Sequence, residues 1–294
     1  MRYQSQLRWL IPLVGALALV AAAAGLFWET PGAAYPFQSL RGETIMMAGH
    51  GLYRFDSVSG AAQEKGQDAV TLFITLPVLA VSGWLALRGS LRGRLLLAGT
   101  LAYFWYTYLM MVAGTAYNPL FLVYVALYST SLFAFVLCLM SFDLADLPSH
   151  FSPRLPRRLI GGVLIGVGGF LCLAWLGRIV PPLIQDRPPF GLEAMTSLVI
   201  QGMDLGIIVP FAVLSGVLLL RRSAWGYLLA SVAVMKFLTY GIAVSAMGVS
   251  ELLSGVQDSW VVLAVFLTLT AVNVALAVSI LRNVDRAEHN PALA

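Results

Sequence analysis

Apolar residues gather in eight long runs: Trp9–Trp28, Ala69–Leu87, Leu95–Ala113, Leu120–Met140, Leu159–Leu176, Ser197–Leu220, Ala224–Met247 and Trp260–Leu281. Each is close to the roughly 20 residues that a helix needs to cross a bilayer core. The pattern predicts an all-α polytopic membrane protein with eight transmembrane helices. The first run follows Arg2 and Arg8 and ends in Ala21–Ala24, as a signal peptide does. Its length and the interfacial Trp28 favour an uncleaved anchor helix.

Composition agrees. Of 294 residues, 59% are hydrophobic and only 11% charged, where soluble domains carry about 25% charged residues. Mean hydropathy is +0.84. An ordinary cytosolic enzyme, a disordered chain and a fibrous repeat are excluded. The formal net charge of +4 is explained by topology, so no nucleic-acid partner is expected. Segments 1–8, 88–94, 141–158, 221–223 and 282–294 hold twelve of the 18 basic residues, and the alternate loops hold five. The positive-inside bias then puts both termini in the cytoplasm of a cell-membrane protein. Trp9, Trp28, Trp225 and Trp260 fall at run ends, as an aromatic belt requires.

The loop lengths repeat from spans one to four into spans five to eight. Pro77–Tyr108 aligns without a gap on Pro210–Gly241 at an offset of 133, with eleven identities in 32 positions. Pro77/Pro210, Ser82-Gly83/Ser215-Gly216, Arg88/Arg221, Ser90/Ser223 and Gly93/Gly226 carry the match. The Gly-x-Asp triplets Gly66-Gln67-Asp68 and Gly202-Met203-Asp204 precede the prolines at unequal spacing. The expectation is a 4+4 parallel internal repeat, residues 1–145 and 146–294, related by an axis along the membrane normal. The first half includes a long outer loop, 29–68.

Polar groups at membrane depth are costly and usually pair, face the bundle interior or line a path. Lys236 lies mid-way along span seven, and Asp204 lies about two turns below the outer end of span six. Helical depth arithmetic lets the two side chains meet as a pair. Thr100, Tyr103, Tyr106, Thr107 and Tyr108 sit on span three, Tyr124 and Tyr128 on span four, and Tyr240 one turn from Lys236. Gln67, Asp68, Asn118 and Gln201 sit at outer ends. The predicted ligand-binding set is Asp204, Lys236, Tyr240, Tyr103, Tyr106, Tyr124, Tyr128, Gln67, Asp68 and Asn118, in an outer-half pocket above a nearly pure Leu, Val and Ala inner half. Asp68 also reads as an N-cap of span two, and Asn273 as a bond to another helix.

The loop 29–68 is too long for a turn and too aromatic for a disordered linker, so it can cap that pocket. His50, Asp56 and Asp68 in it read weakly as metal or acid–base residues; a surface histidine in a folded lid fits better. Cys138 and Cys172 are core thiols without CxxC spacing. None of His50, His150 and His289 lies in an apolar run, which argues against an intramembrane haem. No metal or other cofactor is expected.

Gly66-Gln67-Asp68, Tyr117-Asn118-Pro119-Leu120-Phe121-Leu122 and the stretch from Asp204 to Arg222 are similar to functionally uncharacterised bacterial polytopic membrane proteins. That resemblance spans most of the chain and implies no activity. Walker A, His-Glu-x-x-His and Gly-x-Ser-x-Gly motifs are absent. A retinal-binding lysine is disfavoured, because position 232 is Val and span three has no carboxylate. Three function classes stay open. The first is a binder or transporter of a small molecule or lipid. The second is a membrane-embedded enzyme acting on a lipid-linked or outer-face substrate. The third is a non-catalytic membrane-complex subunit. Site chemistry favours the first, with membrane lipids as the standing partners.

Overall fold

A computed structural model of the chain describes residues 2–256 and 260–284. Arg286 and His289 lie outside the described residues. The helices are α1 (Gln4–Phe27), α2 (Val58–Val70), α3 (Leu76–Leu87), α4 (Leu91–Gly114), α5 (Phe121–Met140), α6 (Arg157–Ile184), α7 (Val199–Met203), α8 (Val209–Leu220), α9 (Ala224–Leu253) and α10 (Trp260–Arg282). A hairpin of β1 (Tyr35–Gln38) and β2 (Thr44–Met47) separates α1 from α2. Two π-helical segments, Thr71–Thr75 and Asp204–Ile208, join α2 to α3 and α7 to α8. With each joined pair counted once, eight helices are long and apolar enough to cross a membrane. This is the architecture of a multi-pass membrane protein. Its outer surface carries large apolar side chains such as Trp9, Leu122 and Leu173, all highly exposed.

The second span begins earlier than hydropathy predicts. Gln63, Glu64 and Lys65 interrupt the apolar run, but all three are good helix formers. Ser57 caps the helix by accepting the Gly60 N–H. Residues 58–68 are therefore helix, not loop, and Asp68 lies deep inside α2 rather than at its N-cap. Asn273 is a second correction: its side-chain amide donates to Leu269 of its own helix, not to a neighbour.

The helices run alternately between two faces. One bears the hairpin, the 185–198 connection and the α4–α5 turn; the other bears the N-terminus and the arginine-rich turns. At the bundle centre α4 packs on α5 and α9, α9 also packs on α2, α8 and α10, and α8 packs on α6. The two central helices cross at Gly99, where any Cβ would collide with the Met235 side chain and the Lys236 backbone. Glycine is what lets the backbones come this close, as small residues do between membrane helices.

Local structure repeats at the 133-residue offset. Both π segments, α3 against α8, and the starts of α4 and α9 are in register. Ser90 and Ser223 cap those starts by accepting the N–H of Gly93 and Gly226. Gly83 lies against Ile11 of α1, and Gly216 against Gly161 and Ile165 of α6. In this register Asp204 stands opposite Thr71 and Gln201 opposite Asp68. The two Gly-x-Asp triplets are thus not equivalent positions.

Candidate functional site

On the hairpin face the ends of α2, α4, α6, α7 and α9 splay around a cavity of about 530 Å³. That is a volume suited to a small molecule. The α1–α2 segment forms part of its cover. Arg41, at the tip of the hairpin, donates to the carbonyls of Met195 and Thr196, each at 3.1 Å. Met195 and Thr196 line the cavity. Ser57 donates to Glu193, while Ser59 and Gln63 of α2 donate to Glu251 of α9 at 2.6 and 2.8 Å. The hairpin and the start of α2 thus sit beside the cavity, the hairpin through Arg41 and α2 through its own lining residues.

The charged lining is uneven. Asp56, Glu64, Glu193 and Asp204 face the cavity, against one guanidinium, Arg178. The turn after α4 holds two of the carboxylates through consecutive residues. Thr115 donates its hydroxyl to Glu64 Oε1 at 2.8 Å, and the Ala116 N–H donates to Asp56 Oδ1 at 2.8 Å. The other oxygen of each, Asp56 Oδ2 and Glu64 Oε2, is sealed from solvent without a hydrogen-bond donor among the described residues. Burial pushes the Asp56 carboxyl up to about 6, opposed by the Ala116 N–H. Native proteins leave few buried polar atoms unpaired.

At the inner end of the cavity Asp204, only 2% exposed, is held on both oxygens. Tyr106 donates its hydroxyl to Oδ1, and the Trp175 indole N–H donates to Oδ2 at 2.9 Å. Lys236 does not reach it. No Asp204–Lys236 ion pair forms, contrary to the expectation from depth. The Lys236 ammonium instead lies 4.0 Å from the centre of the Tyr106 ring and 4.2 Å from that of Tyr240. Depth along a helix says nothing of azimuth, and the aromatic faces occupy the intervening space. The two rings meet edge-to-face with centroids 5.6 Å apart.

A second buried polar cluster lies in the first half. Tyr53 donates to Asp68 Oδ2 at 2.6 Å, and burial raises the Tyr53 phenol well above its ordinary range. Gln67 donates to Thr107 and Tyr103 at 2.8 and 3.2 Å, and Thr71 lies 3.1 Å from the Tyr103 hydroxyl. At the 133-residue offset Thr71, Tyr103 and Thr107 correspond to Asp204, Lys236 and Tyr240. At two of these three positions a neutral hydroxyl, Thr71 or Tyr103, stands where the other stretch has an ionisable group, Asp204 or Lys236.

Of the ten predicted site residues, Asp204 and Tyr240 line the cavity. Tyr106 and Lys236 stand behind them. Gln67, Asp68 and Tyr103 belong to the first-half cluster, and Tyr124 stacks on Tyr108 beside it. Asn118 is a turn residue: its side-chain oxygen accepts the Leu120 N–H at 2.9 Å, ahead of α5. Tyr128 is only partly buried and does not line the cavity. His50 is taken up by the Ala48 carbonyl at 2.8 Å, away from any acid–base set. Among the described residues no group of three or more His, Cys, Asp or Glu side chains is arranged to hold a metal ion.

Glu64, Arg178, Glu193 and Trp175 were not singled out from sequence. Trp175 is hidden inside an apolar run, where only its indole N–H betrays a polar role. Glu64 is readable once the Ser57 cap extends α2 upstream. No protein family, curated protein or solved structure matches the chain, so the chemistry of the site rests on these residues.

Proposed function

We propose that the protein binds a small molecule or lipid in the cavity of its hairpin face, as an integral protein of the cell membrane. The observation that carries this reading is the gathering of Asp56, Glu64, Arg178 and Asp204 around one cavity in an otherwise apolar bundle. Ionisable groups among membrane helices are expensive and mark ligand or ion sites. Access is from the hairpin face. Toward the other face the buried hydroxyls of Ser82, Thr100, Ser131, Ser215 and Ser231 each donate to a carbonyl three or four residues back in their own helix. Such groups offer a solute nothing, which favours a receiving site over a continuous conduit.

Two finer readings go with it. The hairpin faces outward and both termini lie in the cytoplasm, supported by the arginine bias. The chain is a parallel 4+4 repeat, supported by the 133-residue register. The contacts of α2 with α9 and of α4 with α7 support it too, since they exchange under a two-fold along the membrane normal.

The test is mass spectrometry of the intact detergent complex, comparing the natural chain with Ala113→Trp, which fills the cavity from α4. A co-purified molecule held by the natural chain and lost from the variant is expected. An identical complement in both would overturn the reading.

A further inference from the structure

We infer that the cavity's ligand is an organic cation, a protonated primary amine or guanidinium on an apolar body, received by Asp56 and Glu64. This rests on the cavity being a binding site and names the chemistry it selects.

Four carboxylates line the cavity and one guanidinium opposes them. An anion entering this space would meet net like charge at short range in a poorly screening medium. The carboxylates are not equally available. Asp204 has a donor on each oxygen, from Tyr106 and Trp175. Glu193 accepts from Ser57 on Oε2 alone, and its Oε1 is not among the sealed oxygens. Only Asp56 and Glu64 keep a solvent-shielded oxygen without a donor among the described residues. Because consecutive residues, Thr115 and Ala116, hold their other oxygens, the two carboxylates share one wall of the cavity. Hydrogen bonds to ionised acceptors are the strong ones, and an ammonium or guanidinium supplies several N–H groups at once. Arg178 is the one opposing charge: its guanidinium lies 6.0 Å from the Trp175 ring, its Nη2 abuts Gly191, and its Nε is sealed without an acceptor among the described residues.

A bare metal ion does not fit. The carboxylates do not converge on one point among the described residues, and about 530 Å³ is far more space than an ion fills. The rest of the lining suits a carbon body. Phe55, Met110, Leu171, Trp175 and Phe266 supply apolar and aromatic surface, and aromatic faces also attract cations. The internal precedent is Lys236, whose ammonium rests between the Tyr106 and Tyr240 rings, next to Asp204's ligands.

The same headgroup chemistry is offered by a free amine and by an ethanolamine phospholipid. The experiment uses the full-length protein in phosphatidylcholine nanodiscs and titrates 2-phenylethylamine, its neutral isostere 2-phenylethanol and the anion phenylacetate, read by thermal unfolding and calorimetry. Saturable binding of the amine is expected, with the alcohol about tenfold or more weaker, since the lost contacts are hydrogen bonds to charged groups. Asp56→Asn and Glu64→Gln should each weaken the amine by a similar factor, while Asp146→Asn, at an exposed carboxylate on the opposite face, should not. Unliganded melting temperatures report whether each variant is folded, and the two variants serve as independent checks. If phosphatidylethanolamine nanodiscs block the amine in the natural chain, the lipid is the source; if they do not, a free amine is. Equal or tighter binding of the alcohol or phenylacetate, lost in Ala113→Trp, would overturn the cation and leave the binding site standing. No binding of any probe would overturn the cation, and the co-purification result would then decide the site separately.

Discussion

Lys236 and Asp204 are joined through a ring rather than by a salt bridge. The Tyr106 hydroxyl is donated to Asp204, and the face of the same ring lies 4.0 Å from the Lys236 ammonium. One side chain thus donates to an anion through its hydroxyl and offers its ring face to a cation whose Nζ has no hydrogen-bond acceptor among the described residues. The consequence is energetic as well as geometric. A direct buried ion pair loses roughly 3–5 kcal/mol when one partner is removed, whereas here the interposed phenol carries the coupling.

Tyr106→Phe keeps the ring under Lys236 and removes one of the two donors to Asp204. It should cost about 1.5–3 kcal/mol, the range for a hydrogen bond to a charged group. Tyr106→Leu also removes the cation–ring contact and should cost about 0.5–2 kcal/mol more. In double-mutant cycles Tyr106→Phe with Asp204→Asn should couple by about 1 kcal/mol or more, and Asp204→Asn with Lys236→Met by less. Denaturant unfolding in detergent measures both. Coupling in the reverse order would mean that Lys236 and Asp204 do touch.

The spans were legible because lipid imposes a composition on every residue of a crossing helix, and no neighbouring element can override it. What hydropathy missed is where a helix leaves the hydrocarbon. Residues 58–68 are polar, so Glu64 and Asp68 read as loop although Ser57 caps a helix ahead of them. The site was legible as a list of costly residues and not as an arrangement. Asp204 and Lys236 were placed at compatible depths, but the rotation of α7–α8 against α9 depends on packing at positions such as Gly226, which lies against Leu218 of α8. Trp175 could not be distinguished from a lipid-facing tryptophan, since its indole N–H acquires meaning only from the carboxylate 2.9 Å away.

The crossing of α4 on α9 predicts a sharp steric sensitivity. Gly99→Val would drive a branched side chain into Met235 and the Lys236 backbone. Overpacking of this kind costs roughly 1–3 kcal/mol, and it would also displace Lys236 from its aromatic seat. Gly162, whose added Cβ would meet nothing within 4 Å, is the control, and Gly162→Ala should leave the unfolding midpoint nearly unchanged. Comparable losses at both glycines would remove the case for a close crossing.

Asp56 sets a pH dependence whose sign is fixed by its burial. Burial pushes its folded carboxyl up to about 6, above the ordinary unfolded value near 4. The folded chain therefore takes up a proton between these values that the unfolded chain does not. Stability from this group rises as pH falls through about 6 and levels off below about 4. Glu64, Glu193 and Arg178 face the same cavity, so the comparison must be internal: the difference in midpoint between the natural chain and Asp56→Asn, followed from pH 7.5 to 5. The natural chain should gain relative to the variant on acidification. A relative loss would show that Asp56 is stabilised as the anion in the fold.

The proposed orientation puts the hairpin outside, and the fold supplies clean positions for asking. Leu40, at the hairpin turn, is 84% exposed; Ala145, between α5 and α6, is exposed on the opposite face. Cys138 is buried beside the Arg94 carbonyl, and Cys172 is only partly exposed on a membrane-spanning helix, so replacing both by Ala gives a silent background. In intact cells a membrane-impermeant maleimide should label Leu40→Cys directly, and Ala145→Cys only after the membrane is opened. Basic residues resist transfer across the membrane, which makes this orientation the expected one for a chain with arginines concentrated at the turns of the terminal face. Labelling in the opposite order would invert the protein in the membrane, and would put the proposed cation site on the cytoplasmic side.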